Sequence, residues 1–243
     1  MGKGYKGVPC VYCLEREAED GDHVVSRQFF LPDKRANLPK VPACKRCNND
    51  KSKLEHYLTT VLPFGGGHAD AGHTLSSLVP PRLAKNNKLL SAIQAGLGHH
   101  ISSTNGGPWV AGMTIPFDGH AMERLYEYIV RGLVWHHWKV PLGTDVMVRA
   151  ACLDAVGKKA FEHLLTLGAA DWVSVSLGDG VFVYEGVQAK ACQELTVWRM
   201  SFYGGVTLGG DPRFPHERCV SAYGITAPKK WPVSQELLAM LGG

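Results

Sequence analysis

Residues 8–52 carry the most informative pattern in the chain, and they read VPCVYCLEREAEDGDHVVSRQFFLPDKRANLPKVPACKRCNNDKS. Two cysteine pairs of the form C-x-x-C frame this segment, Cys10 with Cys13 and Cys44 with Cys47. A two-residue spacer lets both thiolates of a pair reach one ion, and two pairs complete a tetrahedral shell of four sulfurs. Because four sulfurs leave no open coordination position, the spacing predicts a structural zinc ion. Such an ion helps to fold a segment that has little hydrophobic core of its own.

The segment between and beside the cysteine pairs holds side chains with useful chemistry. Asp22 and His23 are adjacent, Asn37 follows further along, and Asn48 comes directly after the last cysteine. Asp22 offers a hard oxygen ligand suited to Mg²⁺ or Mn²⁺, and His23 can accept a proton at neutral pH. Neighbours on a strand point to opposite faces, so both can serve one site only if the chain bends, which Gly21 would permit. An Asp-His pair alone is weak evidence, because a surface histidine beside a solvated acid is the commoner case.

The combined pattern resembles the HNH, or ββα-metal, endonucleases, specifically the subgroup held together by two C-x-x-C pairs. The resemblance covers roughly residues 8–58, about a fifth of the chain. The matching text is Cys10-Val11-Tyr12-Cys13, Asp22-His23-Val24-Val25, Asn37-Leu38 and Cys44 through Ser52. It implies an N-terminal module of two strands and a helix that hydrolyses DNA phosphodiester bonds to a 5′-phosphate and a 3′-hydroxyl.

The resemblance also implies a role for each matching residue. His23 corresponds to the general base that activates water, and Asn37 to the asparagine that fixes the loop and orients the histidine. Asp22 and Asn48 correspond to ligands of a single catalytic metal. Many relatives have a second histidine at the position of Asn48, and the asparagine favours Mg²⁺ or Mn²⁺ over a softer ion. The neighbouring Asn49 and Asp50 leave the exact ligand open.

Basic side chains surround the motif. The resemblance implies that Lys51, on the closing helix, reaches a phosphate. Further basic residues could contact backbone phosphates, which gives affinity without sequence choice; they are Arg27, Lys45, Arg46 and Lys53. For any single one of them, an ordinary solvated surface is the alternative interpretation.

Composition sets broad limits on the class of protein. At 243 residues, 45% hydrophobic and 20% charged, the chain has the balance of a soluble globular protein. A net charge of +4 is compatible with a nucleic-acid partner but does not demonstrate one. We find no secretory signal and no membrane-length apolar run, which predicts a cytoplasmic location. There, Cys152, Cys192 and Cys219 are expected to be buried thiols rather than disulfides.

The predicted fold class is α+β, with a zinc-stapled ββα module at residues 1–64 followed by a larger α+β domain at residues 75–243. The glycine run after Phe64 predicts a hinge or linker between them. Periodicity predicts helices over residues 45–62, 80–97, 120–138, 153–167 and 234–241. A short strand is predicted around His23-Val24-Val25. Period-two alternation predicts strands near residues 173–177, 181–183 and 198–203, with a hairpin turn at Gly178-Asp179-Gly180.

The sequence therefore predicts a metal-dependent DNA endonuclease. One alternative is a binding module that keeps the zinc-stapled fold without catalysis, although a pure binder has no need of Asp22, His23 and Asn48 together. Another is a nuclease that stays silent until a protein partner activates it, as in bacterial defence or mobile-element systems. The large second region motivates that idea.

Overall fold

The computed structural model describes residues 4–5, 7–102, 110–153, 155–166, 170–206 and 221–230. Its strands are β1 (Asp20–His23), β2 (Lys40–Ala43), β3 (Gly98–Ser102), β4 (Val110–Thr114), β5 (Val146–Ala151), β6 (Ala170–Leu177), β7 (Phe182–Ala189), β8 (Cys192–Phe202) and β9 (Ala222–Pro228). Its α-helices are α1 (Lys45–Gly65), α2 (Ala69–Ser77), α3 (Val79–Ala84), α4 (Asn87–Ala95), α5 (Gly119–Trp138) and α6 (Ala155–Thr166). The fold is mixed α+β, as predicted.

A hairpin followed by a helix forms the N-terminal part of the structure. β1 pairs antiparallel with β2 in regular register, from Asp20 opposite Ala43 to His23 opposite Lys40. α1 begins two residues after β2 ends, which confirms the helix predicted from Lys45. The strand predicted near His23 ends at that residue, and the following two valines are fully buried in the core.

A five-stranded antiparallel sheet, in the order β5-β9-β8-β7-β6, dominates the rest of the fold. In β8, Trp198, Met200 and Phe202 are buried while the residues between them are partly exposed, which confirms the predicted period of two. The turn between β6 and β7 has positive φ at Gly178, Asp179 and Gly180, as the predicted hairpin requires. β5 and β9 were not predicted, since their short apolar runs carry no clear alternation.

Helix α5 lies between the N-terminal hairpin and the sheet, in contact with α1, β2, β5 and β9. Two glycines allow this close packing. A Cβ added at Gly132 of α5 would lie 2.9 Å from the side chain of Val24, and one added at Gly224 of β9 would lie 2.6 Å from Val130. The hairpin and the sheet are thus pressed against opposite sides of one helix.

The glycine run after Phe64 is not a linker, so that prediction is wrong. The backbone N–H of Gly67 donates to the Gly205 carbonyl at 3.2 Å, and that of His68 donates to Tyr203 at 2.7 Å. The Tyr203 hydroxyl in turn donates to the Phe29 carbonyl at 2.6 Å. One buried cluster includes three of the four cysteines, with Cys13 packed against it, together with the apolar side of α5 and the side chains of Trp198, Met200 and Phe202 from β8. The two predicted regions therefore share a core.

Other differences concern short elements. The helix predicted over residues 80–97 is two helices, α3 and α4, because the Asn86 side chain caps α4 by accepting from the backbone N–H of Leu89. The sequence did not predict α2 or the hairpin of β3 and β4. α5 and α6 confirm the helices predicted over residues 120–138 and 153–167. The helix predicted over residues 234–241 lies outside the described residues.

Candidate functional site

Four cysteine sulfurs come together beside the start of α1. Cys10 and Cys13 lie in the loop before β1, Cys44 directly precedes α1, and Cys47 lies in its first turn. Their sulfurs all lie within 4.8 Å of one another, and those of Cys13 and Cys44 are 4.0 Å apart. A tetrahedral ion with metal–sulfur bonds of about 2.3 Å keeps its sulfurs about 3.8 Å apart. The four cysteines are therefore positioned to bind one metal ion, as their spacing predicts.

The surroundings of the cluster influence how readily it yields thiolates. Burial alone would raise the pKa of Cys44, but hydrogen bonds from the Cys47 backbone and from neighbouring thiols lower it to about 7. The positive charge of Arg16 also lies near Cys44 and favours its thiolate. Burial raises the pKa of Cys10 and Cys47. Because metals bind thiolates, an ion entering this site would displace protons from these buried thiols.

β1 places Asp22 and His23 in different environments. The strand keeps its register with β2 through His23, and the chain bends only afterwards, at Val24 and Val25. The bend that Gly21 would permit is therefore absent, and a site shared by Asp22 and His23 would depend on the bend directly after them, at Val24 and Val25. Asp22 is buried, with 8% of its surface exposed, whereas His23 is partly exposed. This difference is typical of neighbours that leave opposite faces of a strand.

Lys51 connects α1 to the end of β1. Its side chain is fully buried, and its Nζ lies 2.9 Å from Asp22 Oδ2 and 2.5 Å from Glu55 Oε1. The same ammonium donates to the His23 carbonyl oxygen at 2.7 Å. The hydroxyl of Tyr12 donates to Asp22 Oδ2 at 2.7 Å. Because the three N–H donors of Lys51 face partners inside the protein, it cannot reach a phosphate, and that prediction is wrong.

Sequence reasoning missed Tyr12 and Glu55. One signal was present for Glu55, since Lys51 and Glu55 are four residues apart on a helix and so share a face. Burial raises the pKa of Glu55 to about 7, although the Lys51 ammonium opposes that rise. Tyr12 had no signal beyond its place between two cysteines, because its partner Asp22 is reached only through the folded loop.

We expect Lys51→Met to lower the free energy of unfolding by about 3–5 kcal/mol, measured by urea denaturation. Methionine keeps most of the side-chain volume but leaves the carboxylates of Asp22 and Glu55 buried without a cation. Lys53→Met is the matched control, because Lys53 is exposed on the same helix and its ion pair with Asp50 is on the surface. That control should change stability by less than about 1 kcal/mol. Equal stability of the two variants would contradict the role of Lys51.

The environment of His23 favours the neutral form of its imidazole. Partial burial lowers its pKa below 6.5, and the positive charges of Lys40, Arg27 and Lys51 lower it further against the opposing charge of Asp22. Within the described part of the chain, no hydrogen bond occupies its ring nitrogens. A neutral imidazole with an unoccupied nitrogen can accept a proton from water.

The two asparagines are placed differently. Asn48 is partly exposed near the start of α1 and lies on the same helix face as Lys51, three residues further on. Because Lys51 contacts the His23 carbonyl, this face points towards β1. Asn37 is exposed and has a left-handed backbone with φ of 55°, a conformation that asparagine tolerates well. Among the described residues no hydrogen bond joins Asn37 to His23, so its expected orienting role gains no support.

Exposed basic side chains lie on this part of the molecule. Arg27, Lys45 and Arg46 are exposed, and Lys53 is exposed within a surface ion pair. Arg27 is near enough to His23 for its charge to lower the pKa of the imidazole. Their contact with nucleic acid remains a prediction.

The other cysteines differ in part from the prediction. Cys192 is a free, partly buried thiol. Cys152 is disulfide-bonded, so the buried thiol predicted there is wrong. Spacing along a chain does not reveal which cysteines meet in the fold, and this explains the error. Cys219 lies outside the described residues.

Comparisons with known proteins provide no family assignment. No protein-family model matches the sequence, and neither a curated protein nor a solved structure matches it. Of the helices in the described ranges, none combines the length and the apolar character needed to cross a membrane.

Proposed function

We propose that the chain is a metal-dependent endonuclease of the HNH class that hydrolyses phosphodiester bonds of DNA. One arrangement carries the proposal: the β1–β2 hairpin runs directly into α1, four cysteines meet at the junction, and the neutral imidazole of His23 ends β1. The resemblance of residues 8–58 implies this same order of strand, strand and helix. The exposed basic side chains nearby support a polyanionic substrate.

His23 is the proposed general base. Its imidazole takes a proton from water while the water oxygen forms a bond to phosphorus. The bond from phosphorus to O3′ breaks, and the leaving oxygen takes up a proton to give a 3′-hydroxyl and a 5′-phosphate. Lys51 acts through position, because it holds the His23 carbonyl and the Asp22 carboxylate against α1.

Two metals belong to the proposal. The four-cysteine site would hold zinc in a structural role, since four sulfurs complete its coordination. Asp22 and Asn48 would hold Mg²⁺ or Mn²⁺ through oxygen atoms, which these hard ions prefer. Tyr12 and Lys51 already engage Asp22 Oδ2, so Oδ1 is the carboxylate oxygen left for an ion among the described contacts. When bound, the divalent ion supplies charge neutralisation at the phosphoryl and leaving oxygens.

Nicking of supercoiled plasmid by the full chain tests this proposal. Cleavage should require added Mg²⁺ or Mn²⁺ and should be lost in His23→Ala. Cleavage that survives this substitution would overturn the mechanism. Salt-sensitive DNA binding without cleavage under any divalent ion would favour the binding module instead. Cleavage that appears only after a partner protein is added would identify a partner-activated nuclease.

A further inference from the structure

An open cleft lies between the loop of the first cysteine pair and α5. Its volume is about 200 Å³. The lining residues are Tyr12, Arg124, Glu127, Tyr128 and Arg131, of which the last four share one face of α5. The hydroxyl of Tyr12 donates to Asp22, so this tyrosine belongs both to the cleft and to the buried contacts beneath β1. The cleft thus adjoins the proposed reaction site without including His23.

The cleft presents hydrogen-bond donors. Arg124 is exposed, and its guanidinium forms no hydrogen bond or ion pair with the residues that the structure describes. The same holds for the Tyr128 hydroxyl, whose ring packs edge-on against Tyr12 at 5.1 Å between centroids. Arg131 is held in place by donating to the Leu142 carbonyl at 2.8 Å. Since a guanidinium has five N–H donors in a planar fork, Arg124 alone could bind two oxygens of one ligand.

The charge of the cleft favours an anion. Two arginines and one glutamate line it, which gives a net charge of +1 from +2 and −1. Arg149 lies 3.4 Å from Glu127, and the charges of Arg149 and Arg131 oppose the rise in the Glu127 pKa that burial causes. Glu127, the acid among the described lining residues, is therefore already compensated within the protein.

We propose that this cleft binds a phosphate group of a nucleic-acid strand whose neighbouring part lies at His23. A guanidinium fork matches phosphate oxygens in two-point contact, and the Tyr128 hydroxyl can donate to a third oxygen. The choice of nucleic acid as ligand rests on the proposed nuclease function. A phosphorylated peptide carries the same group, and the experiment distinguishes the two.

Fluorescence anisotropy with a labelled single-stranded oligonucleotide tests this inference, using full-length His23→Ala protein without divalent ions. Arg124→Ala should weaken binding about tenfold and lower the slope of log affinity against log salt by about one. Tyr128→Phe keeps the ring and should weaken binding about fivefold. Lys190→Ala is the charge-matched control, because it removes a positive charge from the exposed turn between β7 and β8. That control should change neither quantity.

Two results would overturn the inference. One is an Arg124→Ala variant whose affinity and salt slope equal those of Lys190→Ala. The other is a phosphoserine peptide that binds through Arg124 when the oligonucleotide does not. Plasmid nicking separates the two proposals. If nicking depends on His23 but DNA binding does not depend on Arg124, the proposal for the cleft is wrong and the proposed nuclease function stands. If DNA binding depends on Arg124 but no nicking occurs, the proposed nuclease function is wrong and the proposal for the cleft stands.

Discussion

We expect Cys44→Ser to abolish stoichiometric metal binding and to lower the free energy of unfolding by more than about 4 kcal/mol. A serine hydroxyl is a poor substitute for a thiolate towards a soft or borderline ion. Cys44 also fixes the junction between β2 and α1. Because Cys10, Cys44 and Cys47 belong to the same buried cluster as α5 and β8, the loss should spread through the fold. Elemental mass spectrometry and urea unfolding measure the two effects.

Cys192→Ser is the matched control for that substitution. Cys192 is a free, partly buried thiol of β8 and lies outside the four-cysteine cluster. This control should retain the metal and change stability by less than about 1 kcal/mol. If Cys44→Ser kept an equimolar ion and wild-type stability, the four sulfurs could not be sharing one ion.

The second large effect concerns His23→Ala, which should slow plasmid nicking by roughly 10²–10⁴-fold, as is typical for the loss of a general base. The fold should survive, because the contact from Lys51 goes to the His23 backbone carbonyl and not to its ring. Unchanged metal content and circular dichroism would show that the loss is chemical. His163→Ala is the control, since His163 is exposed on α6; it should leave the rate unaltered.

The pH profile gives a separate measurement of the same role. Burial and nearby cations lower the pKa of His23 below 6.5, so the proton-accepting neutral form already predominates at pH 7. The nicking rate should therefore rise with pH through this lowered pKa and level off by neutrality. Lys40→Ala removes one of the positive charges that lower the pKa of His23, so the midpoint of the profile should move to higher pH. A rate that falls with rising pH across this range would be inconsistent with His23 as the base.

Much of the candidate metal site could be predicted because its signal is local. Two residues between the cysteines of each pair suffice to predict that both sulfurs reach one point, and the structure gathers all four. The proposed catalytic residues were harder to place. The sequence put Asp22 beside His23, but only the folded structure showed that Asp22 is buried in contact with Tyr12 and Lys51.

Spacing and periodicity alone were enough to predict α1, α5 and the β6–β7 hairpin, because each depends on residues close together in the chain. The spacer within each cysteine pair is equally local, whereas the two pairs meet across 31 positions of sequence, between Cys13 and Cys44. Tertiary contacts decided that Lys51 is an internal cation instead of a phosphate ligand, and that the glycine run is tied to the end of β8. They also created the cleft beside Tyr12. Such contacts join segments far apart in sequence and form only when the core closes around α5, so no local pattern encodes them.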